Sequence, residues 1–464
     1  MKEFSKNLII ALIAQSISFL ASIVMSLLVP KILSVEQFGY WQLFLLYNTY
    51  VGFSLLGLNG GIYLTEGGKK RSTVNRALVG SQIRFGIISQ LFVSLLFIIS
   101  SFFLVDQQDR LFVCISTAVY LIISNTNDLI GYLFQAINET RLFSLSTTID
   151  RVLYLVVLVF LVGIFRTDSY RPYIILFICT KTIALFYSLF KGKDFLISEN
   201  LPIDVTVREV IKSVRIGIKL SLSTIAGSLI LGAERFMIDS HMGINVFSKV
   251  SFSLSMANFF LLFSSQFAMV LFPELRRVDT RSLSSSFVRI DSILSLILPA
   301  IYILYFPLSI FINLWLPHYN DSLIYLGLMI PLCIYDGKMN IVGTTYYKVL
   351  RQEGKLLMVN IVAMFISFSL GAVACFVLNN LFLTLLSAVF AIILRSWYSE
   401  YNFYIYFNKK RVVSFAFELG LTILFYVSVY LGGYGFGLIL VCYILYVFFY
   451  RKFIVGEIKK IVKH

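Results

Sequence analysis

Ionisable side chains are scarce in this sequence, and those that interrupt its long apolar runs are the ones able to do chemistry. Asp128 and Lys181 each fall about ten residues from the same end of an apolar segment, near 15 Å deep at 1.5 Å per helical residue. Asp336 and Arg395 repeat an acid and a base at comparable depth in two later segments. A charge at the centre of a bilayer costs about 2.5 to 3.5 kcal/mol on insertion scales, so each needs a partner or a watery cavity. Each pair reads in one of two ways: as a structural ion pair inside a helix bundle, or as an acid whose binding of a proton or sodium ion drives transport. Lys338, two residues after Asp336, is turned about 160 to 200° away around a helix and does not easily share its partner.

A second arrangement comprises Lys219, Glu234, Arg235 and Lys249 on two consecutive segments. Its cations form a ladder suited to an anionic group such as a pyrophosphate, which a guanidinium holds through two hydrogen bonds. The competing reading is that Lys and Arg near helix ends snorkel to the interface, and for Lys249 it is at least as strong. The first two segments add uncharged polar groups: Gln15, Ser18, Ser22, Ser26, Gln42, Tyr47 and Asn48. Serines spaced by four share one helix face, which tight helix packing explains equally well.

Enzyme chemistry has no foothold. Gly67-Gly68-Lys69-Lys70-Arg71-Ser72-Thr73 lacks the order and spacing of a P-loop, and Gly432-Gly433-Tyr434-Gly435-Phe436-Gly437 follows no strand. His241 and His318 sit in loops and His464 is terminal, so no catalytic triad, metal site or cofactor site assembles. Cys114, Cys179, Cys333, Cys375 and Cys442 are far apart in apolar segments and read as small buried hydrophobes.

The elements that position these residues follow from composition. With 58% hydrophobic residues, 14% charged residues and a mean hydropathy of +0.86 over 464 residues, the chain is a membrane protein with almost no soluble part. A spanning helix needs about 20 apolar residues, and lipid tolerates no open sheet edge, so the class is an all-α polytopic membrane protein. About fourteen segments are predicted: 8–29, 41–64, 80–104, 111–137, 144–165, 172–190, 214–238, 246–272, 289–315, 322–347, 356–378, 382–407, 412–431 and 436–453. Basic residues concentrate in alternate connections, among them Lys69, Lys70, Arg71, Arg76, Arg141, Lys191, Lys193, Arg276, Arg281, Arg351, Lys355, Lys409 and Arg411. By the positive-inside rule both termini are cytoplasmic. The net charge of +15 then reflects this asymmetry and attraction to anionic membrane lipid, and needs no nucleic acid. The first segment is too long for a cleaved signal and reads as a retained helix.

The segments also repeat. Glu139 and Glu353 align at an offset of 214, which carries Lys181-Thr182 onto Arg395-Ser396, and an offset of about 209 places Phe38 on Phe247. Six helices separate the copies, so the repeats run parallel. The domain reading is an N-terminal six-helix lobe (1–190), a cytoplasmic linker (191–213), a C-terminal six-helix lobe (214–407), and two added helices with a basic tail (408–464).

Three patches carry a family resemblance: Leu33-Ser34-Val35-Glu36-Gln37-Phe38-Gly39-Tyr40, Leu271-Phe272-Pro273-Glu274-Leu275, and Gln352-Glu353-Gly354-Lys355. With the helix number and loop lengths, the chain resembles the polysaccharide repeat-unit flippases (Wzx-type) of the multidrug/oligosaccharidyl-lipid/polysaccharide (MOP) exporter superfamily. It departs at Asn245-Val246-Phe247-Ser248, where that family commonly has a glycine beside the aromatic residue. The resemblance implies a V-shaped pair of six-helix lobes, with helices one, two, seven and eight around a central cavity. It implies that the protein is no enzyme and moves an undecaprenyl-diphosphate-linked glycan across a bacterial plasma membrane by alternating access. Coupling to H+ or Na+, and partnership with a glycan polymerase, would follow from the same resemblance. Two other classes stand beside this reading: an ion-coupled multidrug or toxin exporter of the same superfamily, and a membrane-bound glycan polymerase or ligase. The extra helices argue against the first, and the lack of a large external loop against the second.

Overall fold

With no water in the bilayer core to satisfy peptide groups, each apolar segment closes its hydrogen bonds within a helix. The computed structural model describes Ser16 and residues 20–162, 167–276, 279–411 and 413–450, and among these there is no strand. The helices are α1 (Leu20–Ile32), α2 (Val35–Tyr50), α3 (Leu58–Glu66), α4 (Arg76–Leu104), α5 (Gln108–Ala136), α6 (Thr140–Phe160), α7 (Arg171–Lys191) and α8 (Lys193–Leu196). They continue as α9 (Ile203–Met242), α10 (Ile244–Arg276), α11 (Thr280–Ile297), α12 (Ile301–Trp315), α13 (Ser322–Lys338), α14 (Thr345–Val349), α15 (Glu353–Ala372), α16 (Leu381–Tyr406), α17 (Phe415–Tyr430) and α18 (Gly433–Phe449). Short pieces join end to end, so the described residues make fourteen helical passages, as the segment count predicts.

The chain divides into two compact units, one ending at Ile225 and the other beginning at Ala226, inside α9. Each is built around its fourth passage. In the first unit α5 packs against α2, α3, α4, α6 and α7; in the second, α13 packs against α10, α11, α12, α16 and α17. These are the most interior apolar helices, buried over most of their apolar length, whereas α4 is largely exposed.

The repeat is visible in backbone detail. After α5, Glu139 N donates to Phe134 O and Asn138 N to Gln135 O, with Asn138 left-handed at φ 63°. After α14, Gln352 N donates to Tyr347 O and Arg351 N to Lys348 O, with Arg351 at φ 54°. Both are Schellman turns, in which two donors beyond the helix satisfy its last carbonyls. They superpose at an offset of 213, so Glu139 corresponds to Gln352 and the register that matches the two glutamates is one residue too long. The 209 offset holds: Phe38 N donates to Ser34 O and Phe247 N to Gly243 O, each Phe being fully buried. Ser248, next to Phe247, is also fully buried, so a small residue fits there.

Two elements differ from the predicted segments. The second passage is broken: a 3-10 turn over Val51–Leu55 leads to left-handed Leu56 and Gly57 before α3 begins. A buried polar knot holds the break, with Asn125 Nδ2 donating to Val51 O at 2.9 Å and to Gln90 Oε1 at 2.8 Å. The seventh passage begins at Ile203 instead of 214, so most of the predicted linker is α8 and the start of α9. Its early turns lie against α3 through bare backbone. A Cβ on Gly61 would come within 2.0 Å of Ser213 O, and one on Gly217 within 2.0 Å of Gly57 O.

Candidate functional site

In the second unit α13 and α16 bring together the Asp336 and Arg395 side chains in a direct ion pair, and Asn340 Nδ2 donates to the other Asp336 oxygen at 3.3 Å. Both charged groups lie in apolar helices, so each supplies the other's counter-charge. Two residues on, Lys338 points elsewhere. Its ammonium lies 3.0 Å from the Glu400 carboxylate, 3.1 Å from Glu418, 3.4 Å from Asp291 and 2.9 Å from Ser295 Oγ, with the side chain fully buried. Arg411, in the loop after α16, reaches Glu400 at 2.7 Å and Glu418 at 3.1 Å, and the Tyr404 hydroxyl donates to Asp291 at 2.7 Å. Three carboxylates from α11, α16 and α17 thus surround two cations. Sequence reasoning did not single out Asp291, Glu400 or Glu418; the signal it had was that each is an acid set in or beside an apolar run.

The corresponding groups of the first unit are arranged differently. Lys181 has Asp128, Asp150, Arg151 and Tyr120 within electrostatic range, but no ion pair within 4 Å closes between Asp128 and Lys181. The predicted pair is therefore a looser cluster. Asp150 on α6, unremarked in the sequence, is its anchored acid: it is buried and accepts from Thr180 Oγ1 at 3.1 Å.

The cations of the seventh and eighth passages have distinct settings. Lys219 is exposed on α9 and forms no ion pair among the described residues. Arg235 is half-buried; its guanidinium donates to Ser251 Oγ at 2.9 Å and stacks over the Phe247 ring at 5.2 Å. Lys249 is tied to Asp321 at 2.5 Å, and Asp321 is an exposed residue at the start of α13, so this ammonium has snorkelled to a surface carboxylate. Glu234 has no cation partner within 4 Å among the described residues. It is buried, with Ser367 Oγ at 2.7 Å and Ser387 Oγ at 2.6 Å from Oε1, while Oε2 has no hydrogen bond. Of the uncharged groups, Gln42 is buried on α2, and both amide atoms of Asn48 are buried without a hydrogen-bond partner. Gln15 and Ser18 lie outside the described residues.

Outside the spans, Arg71 knots three connections together, reaching Asp194 and Glu139 at 2.8 Å each and the Lys191 carbonyl at 2.6 Å. Burial pushes the Asp194 carboxyl up, but the Arg71 hydrogen bond and charge outweigh it and hold the group below the usual aspartate range. Burial lifts the Glu139 carboxyl further than Arg71 lowers it.

No protein-family model matches the sequence, and no curated protein matches it at a significant level. Solved structures do. The lipid II flippase MurJ in an inward-closed conformation has a TM-score of 0.63 at 12% identity, over 97% of this chain and 99% of that one. The fold is that of the MOP transporters. An inward-facing multidrug-resistance MATE transporter of the same superfamily follows at TM-score 0.55 and 13% identity, over 85% of this chain and 94% of its own. A variant of the Vibrio cholerae MATE transporter VcmN matches at 0.52 and 13%, over 88% and 97%. These likenesses establish an all-α polytopic architecture of two parallel six-helix repeats followed by two further helices.

Proposed function

We propose that the protein is a flippase that moves undecaprenyl-diphosphate-linked oligosaccharide repeat units from the cytoplasmic to the outer leaflet, for capsule, O-antigen or cell-wall polysaccharide synthesis. The observation that carries this reading is the extent of the structural likeness. MurJ, a lipid II flippase by name, is matched over 99% of its length and covers 97% of this chain. The MATE transporters are matched almost as completely but cover only 85% and 88% of it. The likeness to MurJ thus extends over 12% and 9% more of this chain than the likeness to the two MATE transporters. Within the second unit α17 is held through Glu418, and α18 through Tyr446, whose hydroxyl donates to Ser295 O at 2.8 Å.

Arg235 is the residue assigned to the diphosphate. Its planar fork can hold two phosphate oxygens while its stack on Phe247 fixes the plane, where a lysine would supply only a point charge. Lys249 is assigned to the surface, since Asp321 already neutralises it. No nucleotide-binding element is recognisable in the sequence, so an ion gradient is the proposed drive. Glu234 is the carboxylate best placed to use one: buried, hydroxyl-lined and unmatched by a cation, it is stable either protonated or with a small cation beside it.

The test uses purified protein in vesicles loaded with a fluorescent undecaprenyl-diphosphate oligosaccharide, followed with a membrane-impermeant quencher. Wild-type protein should speed transbilayer movement over protein-free vesicles. Arg235→Ala should abolish the gain, and Arg235→Lys should restore only part of it. Glu234→Gln should leave movement unresponsive to an imposed proton or sodium gradient. Gradient-driven uptake of a cationic drug with no lipid movement would instead establish the exporter reading.

A further inference from the structure

We propose that the cleft between α15 and α16 is a binding site for one anionic phospholipid, its phosphate at Lys355 and an acyl chain along the groove. The cleft has a volume of about 570 Å³, inside the roughly 300–1,000 Å³ of small-molecule sites. Its walls are apolar, with Met358, Val362, Ile366 and Leu394 along the length and Ala363 and Ala391 as a narrow floor. The two helices run antiparallel, so Lys355 and Asn402 mark one end of the cleft and Ile366 and Ala391 the other.

Length and charge select the occupant. From Lys355 to Ile366 the helix rises about 16 Å at 1.5 Å per residue, which is half of a hydrocarbon core of about 30 Å. The groove therefore spans one leaflet, the reach of a single acyl chain. Lys355 is exposed, stands at the polar mouth and has no ion pair among the described residues, so one positive charge is available there. Arg395 also lines the cleft, but its charge is committed to Asp336. One unmatched cation suits a phosphodiester, which carries a single negative charge. A polyprenyl diphosphate carries more charge than Lys355 can meet, and its chain is several times longer than the groove. Trp397 and Tyr398 line the groove deeper in, about 6 to 8 Å along α16 from Asn402 at 1.5 Å per residue, in the half nearer the polar mouth.

Trp397 also reports on the site. The experiment places the full-length protein in phosphatidylcholine vesicles that contain either brominated phosphatidylglycerol or an equal fraction of brominated phosphatidylcholine. The Trp397 signal is taken as the difference between wild type and Trp397→Phe. Brominated phosphatidylglycerol should quench it several-fold more strongly than brominated phosphatidylcholine, and Lys355→Gln should erase the difference. Ala363→Leu, which fills the floor and leaves the cation in place, should weaken quenching by both lipids. Equal quenching in the wild type, or a preference that survives Lys355→Gln, would overturn the proposal. So would displacement of the brominated lipid by undecaprenyl phosphate in preference to phosphatidylglycerol, since the occupant would then be the polyprenyl carrier.

Discussion

Lys338 shows how one side chain can hold several helices. Removing one member of a buried ion pair typically costs roughly 3–5 kcal/mol, because the partner is left charged and dry. Lys338 faces three carboxylates with only Arg411 to help, so Lys338→Met should sharply lower the thermal stability of the purified protein in detergent. Adding Glu400→Gln to that variant should recover part of the loss by removing one stranded charge. If Lys338→Met melts at the wild-type temperature, the network contributes no stability. The Asp336 and Arg395 contact was legible because both residues interrupt apolar runs at similar depth. The three carboxylates around Lys338 were not, since their convergence depends on how four helices are rotated about their axes. Asp128 and Lys181 fail to close for the same reason: depth along a helix says nothing of which way a side chain points, and Asp150 is a second acid within range of Lys181.

At the scale of elements, the contact between α3 and the early turns of α9 is the most sensitive to substitution. Gly57 and Gly61 face Ser213 and Gly217, two small residues four apart on each side, the spacing that lets helix backbones touch. A leucine at position 217 has no room, whereas a methyl at Gly60 meets its nearest neighbour at 3.8 Å, an ordinary contact. Overpacking of this kind costs roughly 1–3 kcal/mol or more. Gly217→Leu should therefore reduce both melting temperature and lipid movement in vesicles, and Gly60→Ala should leave both near wild type. Equal behaviour of the two variants would show that the close approach is not maintained in the membrane. The break before Gly57 escaped the hydropathy reading because Val51–Leu55 is as apolar as a helix. What distinguishes it is the polar knot of Gln90 and Asn125, contributed by two other helices.

For the molecule as a whole, the distribution of Lys and Arg predicts an orientation with both termini in the cytoplasm. In a background lacking the five native cysteines, Asn320→Cys and Gly433→Cys should react with an impermeant thiol reagent added to intact cells. Ser72→Cys and Asn408→Cys should react only after lysis. Labelling of Ser72→Cys from outside would invert the topology and, with it, the direction of transport.

Apolar length and loop charge are local properties that need no knowledge of neighbours, and they suffice to give a fourteen-passage helical membrane protein with a repeated half. The sequence also carried the repeat, though the glutamate match set the register one residue long where the Schellman turns fix it at 213. Which charges meet depends on how the helices pack. Lys338 finds Glu400 and Glu418 at separations of 62 and 80 residues, while Lys249 goes to Asp321 rather than to a ladder with Arg235. In a low-dielectric interior an ion pair depends on distances of a few ångströms, and those are set by helix rotation and crossing, which no single helix encodes.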